Sequence, residues 1–237
     1  MNGILTRGNG GVTKSDRGSL ASPVPSRPSS LVGLRPRSAA IGLWLAFLLI
    51  GFALIHQRSL SPGKTGKPPQ RWPEQSILER SPMLPTLVMM VHPQCACSAS
   101  SLAELAHLLA RCEGRVKAHV VMLYPAASRE RWGSTDRWSQ AATIPGATLH
   151  ADVGAQEARL FQSFTSGDVI VYSKHGQLVF HGGITPARNH SGDSEGREAV
   201  RQLLLHGTRQ LSHSPVFGCP LFRGQPNGGG EGDEWRL

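Results

Sequence analysis

The sequence predicts an α/β domain, a central mixed sheet flanked by helices, behind an N-terminal membrane anchor. Three observations predict the domain. An apolar run, Thr86–Val91, leads into a cysteine-bearing turn and then into helical periodicity over residues 100–112. A second strand-like run, 116–123, apolar at most of its positions, follows that helix closely, and strands alternating with helices build parallel pairs. Two further runs, 169–172 and 177–181, flank Ser173-Lys174-His175-Gly176, a short polar link with glycine for the turn. That is an antiparallel hairpin signal, so the sheet is mixed.

The elements follow in order. Residues 1–38 are rich in Gly, Ser, Pro and Arg and lack apolar periodicity, so they read as a disordered basic tail. Residues 39–55 (AAIGLWLAFLLIGFALI) are almost unbroken apolar sequence, within the range of about 17–25 that can span a bilayer. No small-residue cleavage pattern follows, only His56-Gln57-Arg58, so 39–56 is expected to be an uncleaved transmembrane anchor rather than a signal peptide. Basic residues lie close on both sides, so charge does not set the orientation. The large domain after a short N-terminal anchor is expected outside the cytoplasm, on the periplasmic side. Residues 57–80 read as a linker stiffened by Pro62, Pro68, Pro69 and Pro73. The folded domain is expected over 81–222, and a Gly-rich tail over 223–237.

Within the domain, 100–112 carries the stripe Leu102, Leu105, Ala106, Leu109, Cys112, with Glu104, His107 and Arg111 opposite and Gly114 as the stop. The strand 116–123 ends at Tyr124-Pro125. A polar stretch with Trp132 and Trp138 is partly helical, and 148–151 is a short strand. A helix over 156–164 carries Ala158, Phe161 and Phe164. The last helix, 194–206, is expected to be capped by Asp193, to turn Val200, Leu203 and Leu204 inward, and to stop at Gly207.

Charge excludes one class of function. Lys and Arg number 25 against 16 Asp and Glu, a net +9. Residues 1–80 hold 11 basic and 3 acidic side chains, a net +8, which leaves +1 for the rest. The folded part is nearly neutral, so nucleic acid is not an expected partner. Paired carboxylates, a Ser-His-Asp order and phosphate loops are not recognisable; Gly8-Asn9-Gly10-Gly11 has no strand before it.

Chemistry concentrates in Cys95-Ala96-Cys97-Ser98, between the first strand and the first helix of the domain. Four cysteines are too few to scaffold 237 residues with disulfides. Thiols at a strand-to-helix junction meet unpaired backbone N–H groups and the positive end of the helix dipole, which favours the reactive thiolate. Cys95 comes first from the strand and is expected to be the more exposed thiol and the nucleophile. Cys97 is one candidate partner, although an i, i+2 disulfide makes a strained ring. Cys219, in a turn-like Gly218-Cys219-Pro220, is the other. Cys112 lies on the apolar stripe and is read as core. His92 either stabilises a thiolate or supplies a metal nitrogen; His181 and His190 are lesser candidates. Cys95, Cys97 and His92 would form a soft set suited to Cu(I) or Zn(II), although the spacing matches no common zinc signature.

His92-Pro93-Gln94-Cys95-Ala96-Cys97-Ser98 resembles the active-site turn of the thioredoxin-like superfamily. Residues 168–172, 176–180 and Gly182-Gly183-Ile184-Thr185 resemble its hairpin. Together with Val216-Phe217-Gly218-Cys219-Pro220, the pattern is similar to the membrane-anchored thioredoxin-like proteins labelled RedB, over residues 84–222. The resemblance implies a thioredoxin-like fold and a membrane-tethered thiol–disulfide oxidoreductase facing the extracytoplasmic side. Protein thiols or disulfides would be its partners, no cofactor would be needed, and Cys95 would be resolved by Cys97 or Cys219. Two other readings stand beside it: a copper-binding thioredoxin-like module using Cys95, Cys97 and a histidine, and a degenerate fold kept for protein contacts. The chain departs from the superfamily pattern twice. Ser98 stands where the second cysteine of C-x-x-C would be, and Gly167 stands where a cis-proline would precede the third strand.

Overall fold

The computed structural model describes residues 36–124 and 136–221. The expected N-terminal tail, the stretch around Trp132 and the Gly-rich tail lie outside the described residues. The chain divides into two units, residues 1–48 and 49–237. Helix α1, Pro36–Ser59, begins in the first and ends in the second. Its stretch Ser38–Ser59 is long and apolar enough to cross a membrane, and fits a single-pass anchor or a signal. Leu43, Phe47 and Phe52 on it are exposed. Ser59 Oγ and Ser61 Oγ donate to the carbonyls of Ile55 and Gln57, which closes the last turn.

Among the described residues the second unit has six strands: β1 (Thr86–Val91), β2 (Lys117–Tyr124), β3 (Ala147–Val153), β4 (Asp168–Tyr172), β5 (Leu178–Gly183) and β6 (His213–Ser214). Their order is β3-β2-β1-β4-β5-β6. β1, β2 and β3 run parallel, β4 is antiparallel to β1 and β5, and β6 is parallel to β5. The sheet is therefore mixed, with β1 inside it: Thr86 lies opposite Lys117 on one side and Tyr172 on the other. The other helices among the described residues are α2 (Cys97–Arg111), α3 (Asp136–Ala142), α4 (Gln156–Leu160) and α5 (Glu195–His206). This order and connectivity is the thioredoxin-like α/β arrangement.

Burial on both faces of the pleat explains why β1 is apolar from Leu87 to Val91. Leu87, Met89 and Val91 share a core with Leu102, Leu105 and Leu109 of α2 and Val200 and Leu204 of α5. Val88 and Met90 face a second core with Ala158 of α4, Phe161, Tyr172 and Leu78. Cys112 is buried in the first core, as its place on the stripe predicts.

That second core corrects the expectation for residues 57–80. Much of this segment is packed structure, not a spacer. Trp72 packs edge-on against Phe161 and Tyr172, and Leu78 is buried. Trp72 N–H donates to Gly176 O, Leu178 N–H to Gln70 O, and Tyr172 Oη to Pro69 O. The physical reason is coverage: α4 has five residues, too few to shield its face of the sheet, and the proline-rich strap completes it. Composition reported the stiffness of the strap but not its two apolar anchors.

Smaller differences have local causes. α2 begins at Cys97, three residues earlier than its periodicity suggests. α4 stops at Leu160, short of Phe164, because Gln162 takes a φ of 50°. Ser194, not Asp193, caps α5, its Oγ accepting from Arg197 N–H. Asp193 instead pairs with the Arg197 guanidinium. Glu104, expected on the polar face of α2, is buried; it pairs with Arg197 and accepts from Gly192 N–H, which ties α2 to α5. β6 was not legible because two residues carry no period.

Candidate functional site

The turn after β1 is wound tightly by its own backbone. Cys95 N–H donates to His92 O, and Ser98 N–H donates to Cys95 O, both at 3.1 Å. His92 Nδ1 accepts from Gln94 N–H. Two serines fasten this turn to the loop before β4. Ser166 Oγ accepts from His92 N–H at 2.9 Å, Ser98 Oγ donates to His92 O at 2.8 Å, and the two hydroxyls meet at 2.8 Å. Ser98, in the place of a second C-x-x-C cysteine, is thus a buried structural hydroxyl.

Gly167 follows Ser166 with a φ of 89°, and its N–H donates to Met90 O. Proline is locked near −65° and has no N–H, so it could not replace this glycine. A Cβ here would also fall 2.6 Å from Ser101 Oγ.

The C-terminal strap then lies along this loop. Thr165 bridges Pro220 antiparallel, Ser166 N–H donates to Cys219 O, and Leu221 N–H donates to Phe164 O. Gly218 passes so close that an added Cβ would overlap Ser166 O. Arg188 Nη1 donates to Gly218 O at 2.6 Å, and its Nε to Ser61 O at 2.9 Å. Gly63 N–H donates to Val216 O. Two loops and the chain after α1 therefore seat Cys219.

The result is a cluster of three thiols. The sulfurs of Cys95, Cys97 and Cys219 all lie within 4.8 Å of one another. Cys95 Sγ and Cys219 Sγ are 2.8 Å apart, and Cys219 N–H donates to Cys95 Sγ at 3.3 Å. Cys95 is 3% exposed and Cys97 7%, whereas Cys219 is partly exposed. Cys95 was expected to be the more exposed thiol; the strap covers it.

Electrostatics separate the three. The Cys219 thiol beside Cys95 favours its thiolate most, against burial, with help from the N–H groups of Cys219 and Cys97 and the Ser98 hydroxyl. The Cys95 pKa falls from 9.0 to about 5. The mirror effect holds the proton on Cys219, whose pKa is raised first by that same contact and then by burial. Cys97 is raised by burial and by the charge of Cys95. The site at neutral pH is one thiolate beside two thiols.

The other candidates separate from this cluster. His92 is half-buried, and burial lowers its pKa against the pull of Cys95, so its ring is neutral at pH 7. Among the described residues the converging donors are the three thiols, and the expected set of Cys95, Cys97 and His92 is corrected by Cys219 taking the third place. His181 stacks on His213 at the β5–β6 edge, and His190 Nδ1 contacts Arg188 O. Sequence reasoning missed Ser166 and Arg188. A serine before Gly167 carries no signal of its own, and Arg188 acts through a backbone carbonyl thirty residues away.

No protein-family model matches this sequence, and no curated protein matches it. Solved structures do. An uncharacterized conserved protein from Geobacillus kaustophilus matches with a TM-score of 0.50 at 16% identity, over 71% of this chain and 95% of that one. A hypothetical protein from Sinorhizobium meliloti 1021 matches with a TM-score of 0.50 at 18% identity, over 69% of this chain and 94% of that one. A putative thiol:disulfide interchange protein DsbE from Chlorobium tepidum matches with a TM-score of 0.39 at 16% identity, over 62% of this chain and 97% of that one. The chain has the thioredoxin-like α/β fold, and three cysteines, Cys95, Cys97 and Cys219, meet beside the turn after β1.

Proposed function

We propose that this chain is a membrane-tethered thiol–disulfide oxidoreductase of the RedB-like kind, acting on protein thiols or disulfides on the extracytoplasmic side. The observation that carries the reading is the 2.8 Å contact between a Cys95 thiolate and a Cys219 thiol. The apolar helix α1 supports the tether.

The chemistry balances with these two residues. In the reducing direction the Cys95 thiolate attacks one sulfur of a substrate disulfide. A mixed disulfide forms, and the other substrate sulfur leaves as thiolate and takes a proton from water. Cys219 then loses its proton and attacks the Cys95 sulfur. The Cys95–Cys219 disulfide forms, and the second substrate thiol is released. Two electrons pass from the protein pair to the substrate; the oxidising direction is the same path reversed. Resolution needs little movement, because Cys219 is already in contact. Entry of substrate needs more, because the strap must lift from Ser166 and Phe164 to uncover Cys95.

Cys219→Ser is expected to trap mixed disulfides that nonreducing gels and mass spectrometry detect at Cys95, while Cys97→Ser is not. Trapping in Cys97→Ser alone would make Cys97 the resolving thiol. Unchanged exchange activity in Cys95→Ser would refute the reading altogether.

A further inference from the structure

We infer that the reduced chain binds one Cu(I) ion through the sulfurs of Cys95, Cys97 and Cys219. The inference needs only the reduced cluster and does not depend on disulfide exchange with a partner.

A cation bonded to three thiolates at a usual length of about 2.3 Å sets the sulfurs about 4 Å apart. Here Cys95 Sγ and Cys219 Sγ are 2.8 Å apart, and all three sulfurs lie within 4.8 Å of one another. The site therefore forms by widening one contact, between Cys95 and Cys219, with the other sulfurs close to their final places. Two segments set the ligands: the turn after β1 that opens α2 carries Cys95 and Cys97, and the strap held by Ser166 and Arg188 carries Cys219. The three sulfurs are thus already gathered for a small cation.

The donor set selects the metal. All three donors are soft sulfurs, and among the described residues no histidine or carboxylate joins them within that range. Structural Zn(II) sites close with four ligands, and Mg(II) or Ca(II) needs oxygen. Three thiolates without a fourth ligand suit Cu(I). Cys95 and Cys97 are buried, which shields the ion from water. A Cu(I) ion with three thiolates carries a net charge of −2, and the nearby Arg188 guanidinium acts on both Cys97 and Cys219. Binding forms three Cu–S bonds, releases the thiol protons to water and changes no oxidation state. A Cys95–Cys219 disulfide leaves one thiol and dismantles the site, so only the reduced pair binds.

The test uses the full chain in detergent, reduced and kept free of oxygen. It is titrated with Cu(I) supplied as its acetonitrile complex, in competition with bathocuproine disulfonate. One ion per chain is expected, with a three-sulfur shell in X-ray absorption. Cys95→Ser, Cys97→Ser and Cys219→Ser should each weaken binding by about 100-fold or more, beyond what loss of an outer contact costs. His92→Ala and Cys112→Ser should bind as the parent chain does. A nitrogen or oxygen neighbour, undiminished binding in Cys219→Ser, equal binding by the oxidised chain, or failure to compete at all would each overturn the inference. The absorption measurement on the unsubstituted chain decides the matter even if a serine variant misfolds. Exchange activity, assayed separately without copper, tests the oxidoreductase reading on its own.

Discussion

The reactivity of Cys95 can be tested by removing the group that contributes most to it. Its pKa of about 5, against an ordinary 9.0, rests first on the Cys219 thiol. At about pH 6 a thiol of that pKa is roughly 90% ionised and an ordinary one about 0.1%, nearly a thousandfold difference. Part of this is lost, because a weaker base is a weaker nucleophile; with a Brønsted slope of about 0.4–0.5 the loss is roughly 40- to 100-fold. The net advantage is about 10- to 20-fold at pH 6, vanishes near pH 7, and reverses at about pH 8. Pulsed iodoacetamide labelling read by mass spectrometry across pH should therefore show Cys95 labelled first under mildly acidic conditions, with a midpoint near 5. Cys219→Ala deletes the side-chain donor and keeps the backbone N–H, so the midpoint should move up toward, but not reach, 9.0. Cys219→Ser keeps a hydroxyl donor and should fall between the two. A Cys95 midpoint already near 9.0 in the parent chain, an unmoved midpoint in Cys219→Ala, or preferential acidic labelling of Cys97, Cys112 or Cys219 would refute the reasoning.

Other consequences follow from the same structure. Asp168 is fully buried, and desolvation lifts its pKa from 3.8 to about 7 against the Ser163 hydroxyl that donates to it. The folded state then holds a proton the unfolded state gives up, so stability falls as pH rises from about 4 to about 7 and stays low above, by up to about 4 kcal/mol. Asp168→Asn should remove this slope in denaturant melts, and an unchanged slope would count against it. Trp72→Ala should cost about 3 kcal/mol by removing the ring packed against Phe161 and Tyr172; a domain starting at residue 81, which lacks Trp72 and Leu78, should melt well below one starting at residue 61, and equal melting would return the segment to the role of a spacer. An alkaline phosphatase fusion after the domain should be active and a cytoplasmic reporter at the same place inactive, and the opposite pattern would reverse the proposed topology.

The alternation of strands and helices was legible in the sequence, because helix and strand periods are local properties. β1, α2, β2, the hairpin of β4 and β5, and α5 were all anticipated within a few residues, and so was the burial of Cys112 on its stripe. The cysteine turn was legible for the same reason: an apolar run, two thiols and a helix sit within about thirty residues. Three features were decided by tertiary structure. The strap of residues 62–80 reads as a linker until Trp72 meets Phe161 and Tyr172, more than 80 residues away. His92 looks like the third member of the cluster because it is near in sequence; Cys219 holds that place because Ser166, Arg188 and Gly218 bring it across 124 residues. Glu104 looks like a surface carboxylate until Arg197 pairs with it. Periodicity records which face of an element turns inward. It does not record which distant segment will cover that face, because that depends on packing area and backbone donors supplied from elsewhere in the chain.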